Sequence, residues 1–266
     1  MKILLLSGGS HSHISRLVVV IGLVFLILLS RECFGMQRNG MIKLAPEDYF
    51  DGPQLTLARA IQAGDGPAVI RLAGTTDLNT PGRQNNTLLF FAVNEAMYND
   101  NPPHRLQIIT DLVRAGADPL QPNPGMPGSP AEFAAMCDKG IWLKAMLDGG
   151  LSSNARGKLY GTPIIFRITR ARNTETLKTL IAYGADINMT NSLGETLIKN
   201  ALDSSSLEHV KLLISIGADA DIKDNLGWSF RRKFASGIKR SRPGSEYHLQ
   251  LLELQQMLDE RDGRKL

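Results

Sequence analysis

Apolar residues recur along the chain with a helical beat that is itself repeated. They stand seven, four and three places before each of four glycines: Ile109/Leu112/Val113, Leu143/Met146/Leu147, Leu177/Leu180/Ile181 and Val210/Leu213/Ile214. That spacing lays one apolar stripe on one face of a short helix. The glycines themselves, Gly116, Gly150, Gly184 and Gly217, are separated by 34, 34 and 33 residues. A second landmark keeps the same period: Ser129-Pro130, Thr162-Pro163, Thr196-Leu197 and Ser229-Phe230 are spaced 33, 34 and 33 residues apart. Self-similarity at a fixed period of this length signals stacked supersecondary units rather than one closed core.

Each landmark has a physical role. A Ser or Thr at a helix start accepts a hydrogen bond from an otherwise unpaired helix N–H, and Pro suits the first helical position because its missing N–H has no partner there. Glycine closes the second helix in a left-handed conformation, and an Asp two places on binds its own backbone and starts the next turn. The closing triplet is Gly-Ala-Asp at Gly116-Ala117-Asp118, Gly184-Ala185-Asp186 and Gly217-Ala218-Asp219, with a degenerate Gly149-Gly150-Leu151 between the first two. The pattern predicts helix–turn–helix units joined by short turns.

This unit resembles the ankyrin repeat. The family's Thr-Pro-Leu-His-x-Ala motif is best kept at Thr87-Leu88-Leu89-Phe90-Phe91-Ala92 and at Thr196-Leu197-Ile198-Lys199-Asn200-Ala201. It is weaker at Ser129-Pro130-Ala131-Glu132-Phe133-Ala134 and Thr162-Pro163-Ile164-Ile165-Phe166-Arg167. The family His is absent from all four, so the hydrogen bonds it makes between loops must be replaced or lost. The resemblance spans Pro53 to Leu258 and implies an all-α solenoid of about six helix-turn-helix units, with short finger turns and irregular caps. Two insertions interrupt it, Asn99–His104 inside the second unit and the proline-rich Pro119–Gly128 after it.

The N-terminus is a different object. Leu17–Leu29 is an apolar run of 13 residues, preceded by Arg16. It falls short of the roughly 20 residues that span a bilayer, which favours a signal peptide cut after Gly35. An uncleaved anchor with the repeats outside the cytoplasm is the alternative. The expected organisation is therefore signal or anchor at 1–35, a short leader at 36–52, repeats at 53–260 and a tail at 261–266. Both versions place the repeats in the periplasm, free or held at the inner membrane. Membrane contact is expected only through the N-terminal segment. Cleavage leaves Cys137 as a lone cysteine, read as a small buried hydrophobe without a disulfide.

Composition then narrows the function. Removing the first 35 residues leaves 27 basic and 25 acidic side chains, so the chain is nearly neutral. Of five histidines, only His104, His209 and His248 remain, and no pair has metal-ligand spacing. No nucleophile elbow or phosphate loop is present, so neither catalysis, cofactor nor metal is expected. The basic stretch from Arg231 to Arg242 holds six positive and no negative side chains. It fits a solvated cap better than a nucleic-acid or anionic-lipid site, and no nucleic acid is expected as a partner.

What remains is binding through surface shape. Stacked repeats of this family bind proteins on a face formed by fingers and first helices. The candidate contacts are Lys158, Tyr160, Asn191, Asn225 and Trp228 near finger turns, with Phe91, Phe166 and Arg170 on inner helices. Aromatic and Arg side chains are chosen because they carry most of the energy of ordinary interfaces. The overall layout is a signal, then Tyr49-Phe50-Asp51, irregular repeats and a last leucine-rich helix near Arg261-Asp262-Gly263. It resembles bacterial exported ankyrin proteins that act as immunity partners of type VI secretion phospholipase effectors. That resemblance implies a protein partner, a toxin encoded nearby, neutralised by binding. An exported scaffold for a resident envelope protein is the other reading.

Overall fold

The computed structural model describes residues 45–123 and 128–263. The expected signal or anchor, most of the leader and the end of the tail lie outside these residues. Twelve α-helices and two 3₁₀ helices follow one another among the described residues, with no strands beyond four isolated bridges. They are α1 (Pro46–Tyr49), α2 (Gly52–Ala63), α3 (Gly66–Ala73), α4 (Leu88–Tyr98), α5 (Pro103–Arg114), α6 (Pro130–Met136), α7 (Ile141–Asp148), α8 (Glu175–Ala182), α9 (Leu197–Asp203), α10 (Leu207–Ser215), α11 (Phe230–Arg240) and α12 (Glu246–Arg261). The 3₁₀ helices are Arg83–Asn85 and Ile164–Arg170. Helices pair as α2/α3, α4/α5, α6/α7, Ile164–Arg170/α8, α9/α10 and α11/α12, and each pair packs on the next. The result is an all-α stack of six units.

The stripe read from the sequence is the core. Ile109, Leu112, Leu143, Met146, Leu177, Leu180, Val210 and Leu213 have no exposed surface. The four repeating glycines all take positive φ, from 77° at Gly184 to 116° at Gly150. Thr87, Ser129 and Ser229 cap their helices as expected, and Ser129 with Glu132 forms a complete capping box. Thr162-Pro163 differs: it opens a 3₁₀ helix instead of an α-helix. Three isoleucines within five residues crowd the turn, and β-branched side chains fit an α-helix poorly. Arg167 also occupies the place of the motif's small Ala and reaches back to Glu132 of the preceding pair at 2.7 Å.

The structure answers where the missing His went. Its positions hold Phe90, Glu132, Ile165 and Lys199, and three of these still bridge neighbours. Phe90 meets Phe133 edge-on at 5.5 Å, and Glu132 binds Arg167. Lys199 is buried, with Glu195 at 2.6 Å and Asp224 of the next finger at 3.0 Å.

A backbone ladder runs along the loops. Asn79 Oδ1 accepts from the Asp118 N–H at 2.8 Å, Asn154 from Asp186 at 2.7 Å and Asn188 from Asp219 at 2.9 Å. The equivalent residue of the second unit is Leu120, which has no acceptor to offer, so the rung to Ser152 is missing. A groove of about 400 Å³ opens at that joint, lined by Val113, Leu120, Gly149, Leu151 and Ser152 among others.

Both ends are tied down. Phe50 is buried and meets Phe91 edge-on at 5.6 Å, so residues expected in the leader pack on the first units. At the other end Arg231 pairs with Asp221 and Asp262, and Arg261 donates to the Ala218 carbonyl at 2.7 Å. The Arg-Asp-Gly motif thus locks the last helix to the last finger. Cys137 is buried as expected, and in the full-length chain it is disulfide-bonded; the lone-cysteine reading applies to a chain cut after Gly35. The chain's other cysteine, Cys33, lies outside the described residues.

Candidate protein-binding ridge at the finger tips

Three successive fingers share one hairpin plan. Their bases close at the bridges Arg156↔Pro163, Thr190↔Thr196 and Lys223↔Ser229. In the second of them Asn191 Oδ1 accepts from the N–H groups of Leu193 (2.9 Å) and Glu195 (3.0 Å). In the third Asp224 Oδ1 accepts from those of Leu226 (2.9 Å) and Trp228 (2.8 Å). In these two fingers one short polar side chain sets the turn by occupying the backbone donors at its tip, whereas the first has Gly157 at that place and closes through backbone bonds.

The fingers are fastened to one another. Arg156 Nη1 donates to Gly161 O at 2.9 Å within its own finger and to Thr190 O at 3.1 Å in the next. The Asn225 N–H donates to Leu193 O at 3.0 Å, and its Nδ2 donates to Ser192 O at 3.2 Å. Contact is so close at Gly194 that a Cβ there would stand 2.7 Å from Asn225 Oδ1. Its φ of 74° independently favours glycine.

Beneath the tips, Lys199 joins the fingers electrostatically. Burial pulls its pKa down, but hydrogen bonds to the Glu195 and Asp224 carboxylates outweigh this and hold it above the ordinary lysine value. Burial likewise pushes Glu195 up, and its bonds to Lys199 and Asn191 bring it below the usual carboxylate value. Asp224 is held low first by the Trp228 N–H, and also by Lys199.

The locked tips present large apolar side chains to solvent. Leu159 is 56% exposed, Tyr160 73%, Leu193 60% and Leu226 82%. Leu159, Leu193 and Leu226 follow one another at 34 and 33 residues, so the stack carries them into one row. Such side chains cost solvation in isolation, and a row of them is a candidate binding surface rather than scattered exposure.

The residues chosen from sequence divide sharply. Tyr160 is on the ridge, and Lys158 beside it is exposed but ion-paired with Asp118. Asn225 is exposed, yet its backbone and side-chain donors hold the neighbouring finger. The Asn191 side chain is consumed by its own turn, where it also donates to Glu195 at 2.9 Å. Trp228 is half-buried with Arg232 over its ring at 4.1 Å, and Arg170 is exposed at the end of the 3₁₀ helix. Phe91 and Phe166 are corrected: at 0% and 6% exposure they are core side chains and offer a partner no surface. Leu159, Leu193 and Leu226 were not selected from sequence. Their signal was present, since each stands within two places of a finger glycine or Tyr160 and recurs with the repeat period.

Among the described residues no group of three or more His, Cys, Asp or Glu is placed to hold a metal ion. No described helix is long and apolar enough to cross a membrane.

Comparison with known proteins agrees with this geometry. The family model described as "Ankyrin repeats (many copies)" matches residues 165–214. Protein PhlB of Serratia liquefaciens is 30% identical over 182 residues, covering 68% of this chain and 72% of PhlB. The chain is a member of the ankyrin-repeat family. Solved ankyrin structures share the fold. The ankyrin repeat domain of Bcl-3, a member of the IkappaB protein family, superposes with a TM-score of 0.58 at 24% identity, covering 81% of this chain and 87% of that domain. An ankyrin repeat domain from Acinetobacter baumannii AYE gives 0.51 at 22% identity, covering 75% and 97%. Ankyrin repeats are protein-interaction modules, and the finger ridge is this chain's candidate for that role.

Proposed function

We propose that this ankyrin protein acts in the bacterial envelope as an immunity protein, neutralising a secreted lipase-like effector by binding it on the finger ridge. The ridge carries the reading: Leu159, Tyr160, Leu193 and Leu226 are exposed on fingers bonded rigidly to one another. A pre-ordered surface loses little entropy on association, which favours tight binding. The apolar run Leu17–Leu29 and the layout shared with exported immunity partners support the compartment and the class of partner. To outcompete a membrane substrate the complex should reach nanomolar Kd, about −12 kcal/mol, over an interface on the order of 1,600 Å².

Co-expression with the product of the adjacent gene, directed to the periplasm, tests this. Rescue is expected only when residues 1–35 are present. Equal protection by a form lacking them, or no binding by the neighbouring product, removes the immunity reading and leaves an envelope scaffold.

N-terminal sequencing of the periplasmic fraction separates signal from anchor. A soluble chain starting at Met36 is the result expected of a signal, and a membrane-bound chain starting at Met1 the result expected of an anchor.

A further inference from the structure

The basic stretch Arg231–Arg242 is not one surface. Arg231 is committed to Asp221 and Asp262, Lys233 to Asp203, and Arg232 lies over Trp228. Lys239, Arg240 and Arg242 are exposed, and none has a carboxylate within ion-pair distance among the described residues. Arg240 Nε only donates to Ser236 O of its own helix at 3.2 Å. These three cations cluster at the end of α11 and in the turn that follows.

That turn is fixed against the start of α12. Ser245 caps the helix by accepting the His248 N–H at 3.2 Å, and His248 Nδ1 lies 2.7 Å from Ser241 Oγ. Residues 239–252 therefore form one corner of the stack. Two of its apolar members are turned outward, Leu249 at 57% exposure and Leu252 at 43%, while Leu251 and Leu254 fill the core. Glu246 is the one carboxylate in the segment. No further unit covers this face of α12 among the described residues.

We infer that this corner is a docking surface for an anionic lipid bilayer. Cations at the rim meet lipid phosphates while Leu249 and Leu252 enter the interfacial layer, the chemistry by which amphipathic surface segments hold a membrane. A nucleic acid would satisfy the three cations but give the two leucines nothing. The surface is separate from the finger ridge and stands whether or not the partner there is a toxin. It would hold the stack against the bilayer that the N-terminal segment addresses.

Hydrogen exchange on the full-length chain tests the inference, since it reads this corner whatever the N-terminal segment does. The probes are vesicles of phosphatidylcholine alone and of about equal parts phosphatidylcholine and phosphatidylglycerol. Amides of residues 245–250 should exchange about tenfold more slowly on the anionic vesicles only, and salt should reverse the effect. The Lys239→Glu/Arg240→Glu/Arg242→Glu variant should lose that protection, and Leu249→Ser/Leu252→Ser should weaken it. Equal protection on both vesicles, or protection that survives charge reversal, overturns the proposal. Protection by duplex DNA but not by anionic vesicles overturns it too and assigns the corner to nucleic acid.

Discussion

The joint between the second and third units and the joint between the fifth and sixth meet one demand with opposite chemistry. In the first, the position of the family His is Phe90, which packs edge-on against Phe133, and the loop rung is absent because Leu120 replaces an asparagine. At the later joint the same position is Lys199, clasped by Glu195 and Asp224. The rungs that arrive at the two joints, from Asn79 to Asp118 and from Asn188 to Asp219, are both intact, so the missing rung is the one leading out of the first joint. Three of the four such places are bridged, by an aromatic pair, an ion pair or a buried ion cluster, while Ile165 leaves the fourth to apolar packing. The choice decides what perturbs the joint: volume loss in one case, proton balance in the other.

The largest effects should come from removing core volume. Phe90→Ala is expected to cost about 3–5 kcal/mol by chemical denaturation, and Leu180→Ala, inside α8, about 2–5 kcal/mol. Neither penalty should depend on pH between mild acid and neutrality. A Phe90→Ala penalty that varies with pH would break the contrast.

Lys199→Met should cost about 3 kcal/mol at neutral pH, because two carboxylates lose their buried partner. Here pH matters, and its sign is fixed. Glu195 and Asp224 have folded pKa values below their unfolded ones, so their contribution is present above the usual carboxylate range. It is lost as pH falls through the depressed folded values. The Lys199 value is raised, so its contribution is present below the unfolded lysine pKa and lost as pH rises through the folded one. The difference between wild type and Lys199→Met should be flat through neutrality and shrink in acid. A constant difference down to the lowest measurable pH contradicts the clasp.

Smaller effects test the loops. Asn188→Ala removes a rung and Asn191→Ala removes the bonds that set a finger turn, and each should cost about 1 kcal/mol. The Asn191 result separates a turn-setting residue from a solvated tip residue, which would lose less than about 0.5 kcal/mol. At the small end, the Ser152 amide, without a rung, should exchange faster with solvent than the Asp186 and Asp219 amides. Equal protection at all three would mean that the missing rung has no energetic weight.

These contrasts show what the sequence made legible. The period was readable because Gly-Ala-Asp and Ser/Thr starts each have a local job that few other residues perform; Thr87, Ser129 and Ser229 do cap their helices, while Thr162 and Thr196 make no side-chain cap bond. The 3₁₀ helix at Ile164–Arg170 was hidden, because Thr162-Pro163 is a sound start signal and the crowding that follows depends on where Arg167 goes. Phe91 and Phe166 were misplaced for a related reason: a seven- to eleven-residue inner helix has too few turns to say which aromatic faces its neighbours. Leu193 and Leu226 were missed because an isolated leucine in a turn reads as incidental. Only the stack, which sets one finger beside the next, turns them into a row.

The finger ridge is the central claim, and affinity tests it most directly. Titration calorimetry with the product of the adjacent gene should give nanomolar binding for the wild-type chain. Leu159→Ser/Tyr160→Ser/Leu193→Ser/Leu226→Ser should bind at least about 100-fold more weakly while keeping its circular dichroism. The control Ile70→Ser/Ile216→Ser, which removes exposed apolar side chains from a second helix and from the C-cap of another, should bind as the wild type does. Unchanged affinity in the finger variant, or equal loss in the control, would contradict the account.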